Sequence, residues 1–130
     1  MANGIRRLTA NFTLQEFACS DGSPVPDKYI VNVEELARNL QIIRDAIGAP
    51  LHINSAYRTP SHNARVGGAA DSQHLKAKAA DITTKNMTPK QLYDLIERLT
   101  KAGTLRQGGR GLYKGFVHFD IRGERARWKG

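Results

Sequence analysis

The segment Phe116-Val117-His118-Phe119-Asp120-Ile121 decides how this chain is read. Along a strand, successive side chains point to opposite faces. Phe116, His118 and Asp120 therefore share one face, and Val117, Phe119 and Ile121 share the other, where they supply packing. One short strand carries core on one side and candidate chemistry on the other.

Working outward, Gly111-Leu112-Tyr113 reads as the partner strand, joined by a turn at Lys114-Gly115, and these two are read as the last strands of the chain. Upstream, Thr88-Pro89 opens a helix: threonine as cap, proline in the first turn, Gln91 closing the capping box. Leu92, Leu95, Ile96 and Leu99 form its buried face, and Gly103 lies just past its end. A second long helix carries Leu36, Leu40, Ile43 and Ile47 as one apolar stripe, with Asn32 read as its cap and Gly48 ending it. Thr13-Leu14-Gln15-Glu16 is a capping box for a short N-terminal helix. Leu51–Ser55 alternates as a strand, and Ala79–Thr83 is short and compatible with one. Residues 61–73 hold Gly67-Gly68 and little periodicity, so they are read as an ordered loop. The expectation is an α+β fold over residues 1–130: a small, mainly antiparallel sheet packed with two main helices and a short N-terminal one.

Composition narrows the class. A chain of 130 residues, 40% hydrophobic and 25% charged, suits one folded domain that buries roughly two-thirds of its unfolded surface. The single cysteine, Cys19, cannot form an internal disulfide, and a cysteine-based zinc finger is excluded. Met1–Leu8 and the residues after it contain no apolar run of signal-peptide length, and no stretch approaches the roughly 18 apolar residues of a membrane span. A net charge of +8 points to an anionic partner: nucleic acid, anionic lipid, or a wall polymer. The basic residues are scattered rather than interleaved with aromatics, which disfavours nucleic acid.

The chemistry lies in two places. His74 is followed seven residues later by Asp81, and His118 stands on the strand described first. Two imidazoles and a carboxylate are a complete ligand set for one catalytic zinc ion with a position left open for water. Such an ion keeps net charge near +1 and can bring the pKa of bound water towards neutrality, which makes a hydrolase the natural expectation. The ligand types would accept other divalent ions too.

Ser72-Gln73-His74-Leu75-Lys76-Ala77-Lys78-Ala79-Ala80-Asp81 closely resembles the Ser-x-His-x-x-Gly-x-Ala-x-Asp signature of the M15 zinc peptidases, the D-alanyl-D-alanine carboxypeptidase family. Ser55-Ala56-Tyr57-Arg58-Thr59-Pro60 looks like that family's upstream segment, and Phe116–Asp120 like its closing His-x-Asp strand. Asn11–Cys19 is similar to the opening segment of the small phage-type members. The resemblance implies that His74, Asp81 and His118 bind zinc and that Arg58 binds and polarises a substrate oxygen. It also implies cleavage of an amide bond in peptidoglycan stem or cross-bridge peptides, D-Ala-D-Ala carboxypeptidase or endopeptidase fashion. A phage or prophage lytic enzyme, released by a holin or carried in a virion and acting at the wall as a monomer, fits that implication.

Two departures stand out. The signature glycine is Ala77 here, tolerable unless the turn needs a positive φ. The acidic residue or histidine that many relatives place just before the last ligand is replaced by Gly115 and Phe116. Asp120 is then the best remaining catalytic base, its other role being to brace a ligand or bind Arg58. Ser72 and Tyr57 join Arg58 as candidate substrate-binding residues, although Ser72 also reads as a brace for the loop of His74, and Tyr57 as packing. Asp71, His52 and His62 read as loop or structural residues, and Trp128 as an anchor for the C-terminal tail. The missing acid supports a competing class: a zinc-binding structural component of a phage tail or related particle.

Overall fold

Val33, Leu36, Ala37, Leu40 and Ile43 lie on one side of an 18-residue helix, α1 (Ile30–Ile47), and all are fully shielded from solvent. The computed structural model describes residues 6–130; Met1–Ile5, part of the stretch read above for a leader, lie outside the described residues. After α1 come β1 (His52–Ser55), α2 (Pro60–Arg65), β2 (Ala79–Thr83), α3 (Pro89–Lys101), β3 (Gly109–Leu112), β4 (Val117–Asp120) and β5 (Ala126–Lys129). Short 3-10 turns cover Leu14–Phe17, Asp27–Tyr29 and Gln73–Lys76. Among the described residues no helix is long and apolar enough to cross a membrane.

Among the described residues the five strands form one sheet in the order β1-β2-β4-β3-β5. Every pairing is antiparallel except β3 with β5, so the fold is α+β with a mixed sheet. One face carries Ala80, Ile82, Val117 and Phe119, which join α1 and the Leu92 and Ile96 side of α3 in a single core. The other face carries Asp81 and His118, register partners across β2 and β4. The alternation in Phe116–Ile121 thus sorts core from chemistry as expected.

Four local readings are corrected. First, α1 begins at Ile30 behind the 3-10 turn Asp27–Tyr29, because that turn runs straight into the helix; Asn32 instead donates to the carbonyl of Lys76 at 2.9 Å. Second, residues 60–65 are helical, capped by the Thr59 hydroxyl, which accepts from the His62 amide, with Pro60 in the first turn. Six residues are too few to show a period, although the threonine-proline start matches that of α3. Third, β5 was not expected: Ala126-Arg127-Trp128-Lys129 lacks an apolar alternation, and its pairing is parallel to β3. Its place is set by Arg127, whose guanidinium grips Glu97 of α3 at 2.9 Å. Fourth, Ala77 sits at φ +58, so the turn does require the left-handed conformation that glycine adopts more readily.

Arg110 is the largest fully buried side chain. It lies between α3 and the sheet with its guanidinium over the Phe119 ring, 4.3 Å from the centroid. Its Nη atoms donate to the carbonyls of Asp120 at 2.7 Å and Arg106 at 2.6 Å. Burial and the neighbouring Arg127 lower its pKa to about 10, so it stays charged at neutral pH. These bonds fasten the end of β4 to the approach to β3. Replacing Arg110 by alanine removes those bonds and its packing and should cost about 3–5 kcal/mol, read as a lower urea midpoint with an unchanged slope. A loss below about 1 kcal/mol would show that the arginine is not the fastener.

Candidate metal centre

Asp81 is placed by β2, and His118 by β4 directly opposite it. His74 reaches them from the 3-10 turn Gln73–Lys76, whose amide bonds close on Ser72 and whose exit is the left-handed Ala77. The Ser72 hydroxyl accepts from the His74 amide, and the His74 carbonyl accepts from the Arg58 amide at 3.0 Å. A turn and a reversal thus consume the seven-residue interval and return the chain to the sheet. His74, Asp81 and His118 are all buried, at 2%, 6% and 7% exposure, with one ligand atom of each within 4.8 Å of the others.

The protonation of the two rings follows from their outer partners. His74 Nδ1 lies 2.6 Å from the carbonyl oxygen of Ala56, which can accept but not donate, so Nδ1 carries the hydrogen and Nε2 a lone pair. His118 Nε2 lies 2.7 Å from a carboxylate oxygen of Asp120, so in the neutral ring Nδ1 carries the lone pair. Both lone pairs face Oδ1 of Asp81, at 3.2 Å each. Three electron-rich atoms aimed at one another repel unless a metal ion, or hydrogen on the ring nitrogens, lies among them. Two ligands of a tetrahedral zinc ion stand about 3.3 Å apart, so the residues fit such an ion.

The ionisation of the acids agrees. Where those ring nitrogens carry hydrogen instead they donate to Asp81, and although burial works against its charge, these bonds hold its carboxyl well below the usual range. Burial likewise opposes a charged His118, but its bonds to Asp120 and Asp81 raise its pKa. The centre is built to hold positive charge.

Asp120 is fully buried. Besides His118 Nε2, it accepts from the Gly109 amide at 2.7 Å and from the Arg122 guanidinium at 2.8 and 3.0 Å. Burial alone would raise its pKa; these bonds hold it well below the carboxylate range. A side chain at Gly109 would collide with that carboxylate, so the bare backbone makes its room. The alternative pairing of Asp120 with Arg58 does not occur. Arg58 Nη2 instead donates to the outer oxygen of Asp81 at 3.3 Å, while Nη1 donates to Asn63 and Nε to Ser55.

The centre opens into a cleft of about 540 Å³, within the usual range for a ligand site. Arg58, Asp71 and Ser72 line one part of it, and Tyr113, Phe116, Arg122 and Trp128 another. Tyr57 is not on this wall: it is buried, tilted against Tyr29 with ring centroids 6.2 Å apart. His52 is exposed on β1, and His62 lies on α2 beside Cys19 and Asp21.

Sequence reasoning missed Arg122, Asn63 and the aromatic wall. Trp128 does hold the tail, donating to the Tyr113 hydroxyl at 2.9 Å, but its ring also packs 5.0 Å from that of His118. Gly111 lies beneath the indole, where a side chain would collide with it. The parallel β3–β5 pairing creates this juxtaposition, and no local pattern announces it.

No curated protein matches the chain. Residues 10–120 match the family described as Peptidase M15, a span that takes in every element from the first 3-10 turn through β4 and includes His74, Asp81 and His118. On that match the chain belongs to the Peptidase M15 family, whose members are metallopeptidases that generally use zinc.

Proposed function

We propose that this chain is a zinc-dependent peptidase acting on peptidoglycan stem or cross-bridge peptides, in a phage or prophage setting that delivers it to the wall. The observation that carries the reading is the convergence of His74 Nε2, His118 Nδ1 and Asp81 Oδ1 on one buried point at the floor of an open cleft. When bound there, a zinc ion supplies Lewis acidity and an activated water.

The chain's own residues supply the rest. Arg58 uses three of its five N–H groups on Ser55, Asn63 and Asp81, leaving two to hold a substrate carbonyl or carboxylate oxygen at the cleft. Ser72 braces the turn of His74 and borders the space where a peptide backbone would lie. Arg122 adds a second guanidinium, and Lys76, Lys78 and Arg125 continue the basic surface past it, which suits a carboxylate-bearing peptide in an anionic wall.

Asp120 acts as a positioning residue, since its oxygens are engaged by His118, Arg122 and Gly109. Apart from Asp81, the acidic residue on the cleft wall is Asp71, exposed and three residues before His74. Asp71 accepts the proton from the attacking water at its carboxylate and returns it to the leaving amine. A second reading, a zinc-binding component of a phage particle with little turnover, draws on Gly115 and Phe116 at the position of the expected acid.

Zinc-loaded protein incubated with purified peptidoglycan should release new free amines or carboxyls, located by mass spectrometry of the muropeptides. His74→Ala should lose both the zinc of this centre and the products; zinc bound at this centre with no product at all would favour the particle component. Asp71→Asn should lower kcat by about 100-fold or more and leave zinc content unchanged. Asp120→Asn should instead weaken zinc affinity by about 10–100-fold. The opposite pattern, with turnover lost and affinity kept in Asp120→Asn, would return the base role to Asp120.

A further inference from the structure

A second group of ligand-bearing side chains lies away from the cleft. One donor atom each of Cys19, Asp21 and His62 falls within 4.8 Å of the others. Cys19 is 4% exposed and Asp21 is exposed, so the group opens to solvent on one side with its sulfur at the buried end. The three come from two separate parts of the chain, the turn Cys19–Ser23 and the helix α2.

The arrangement is held from both directions. The Cys19 amide donates to the Ser23 carbonyl at 2.9 Å, and the Gly22 amide donates to the Cys19 carbonyl at 3.0 Å, with Gly22 at φ +96. Asp21 Oδ1 accepts from the Ser23 amide at 2.8 Å, and Oδ2 accepts from the Thr59 hydroxyl at 2.8 Å. That same hydroxyl caps α2 by accepting from the His62 amide. Thr59 is therefore the hinge that brings the imidazole to the turn. An ionised carboxylate has about four lone-pair sites, so both oxygens of Asp21 can still bind a cation. Such outer hydrogen bonds orient metal ligands.

We infer that Cys19, Asp21 and His62 form a second metal site, one for a zinc-class divalent ion with solvent completing its coordination. The donor set makes the selection: a thiolate and an imidazole favour zinc over magnesium or calcium, which prefer all-oxygen shells. A tetrahedral zinc ion holds its ligands roughly 3.3–3.8 Å apart, so side-chain rotation of about one ångström closes the group around it. Binding releases the thiol proton to solvent, and the ion takes its place. The site clips the N-terminal segment to α2, and Val66 to Gly68, just beyond α2, line the catalytic cleft. Its role is to hold that rim in place.

The test uses the full chain, stripped of metal under reducing conditions and titrated with zinc or cobalt(II) alone. Wild type should bind two equivalents. The cobalt form should show a thiolate-to-cobalt charge-transfer band in the near ultraviolet, which His74, Asp81 and His118 have no sulfur to produce. Cys19→Ser should fall to one equivalent and lose the band. His62→Ala, which keeps the core cysteine, should weaken the second equivalent and the band if Cys19→Ser fails to fold. His74→Ala should keep the band while losing the other equivalent. A wild-type chain that takes up one equivalent, or two with no band, overturns the site, as does a band that persists in folded Cys19→Ser.

Discussion

The carboxylate of Asp81 is the constraint around which this protein is arranged. Its inner oxygen faces a lone pair on each of two imidazoles, and its outer oxygen holds the guanidinium of Arg58. Buried and negatively charged, it would be costly without those neighbours. Each neighbour in turn is tied to something further out: His74 to the Ala56 carbonyl, His118 to Asp120, Arg58 to Asn63 and Ser55. The cation that this set calls for completes the charge balance.

The sheet makes such a centre possible. Because strand side chains alternate, β2 and β4 give one face to α1 and α3 and reserve the other for Asp81 and His118. Glycines at 109 and 111 lower the cleft face of β3 so that the Asp120 carboxylate and the Trp128 indole can lie over it. On the core face of that strand, Arg110 does the opposite, filling the space beneath α3 and fastening the backbone carbonyls of Asp120 and Arg106. A four-residue strand thus carries a buried cation on one side and the roof of a reaction site on the other.

Asp120 shows how position overrides residue type. A carboxylate two residues after a metal ligand has the chemistry of a general base, but full burial and three donors around it make it a brace for His118. Asp71 has the opposite history: read in the sequence as a loop residue, it stands on the cleft wall. Tyr57, adjacent to Arg58 in the chain, turns into the core, since neighbours on an extended segment point to opposite sides.

What the sequence determined by itself follows from local chemistry and spacing. The stripe of α1, the threonine-proline start of α3 and the alternation of β4 are short-range patterns, and each is where it was read; the side chains at 74, 81 and 118 lie together as a possible metal-holding group. The helix of residues 60–65 and the left-handed Ala77 lay at the edge of legibility, one too short for a period and the other a matter of backbone angle. Tertiary structure alone decided the rest. The parallel return of β5 brings Trp128 over His118 and Arg127 to Glu97. These meetings depend on which strands become neighbours, and strand order is set by how the whole core packs.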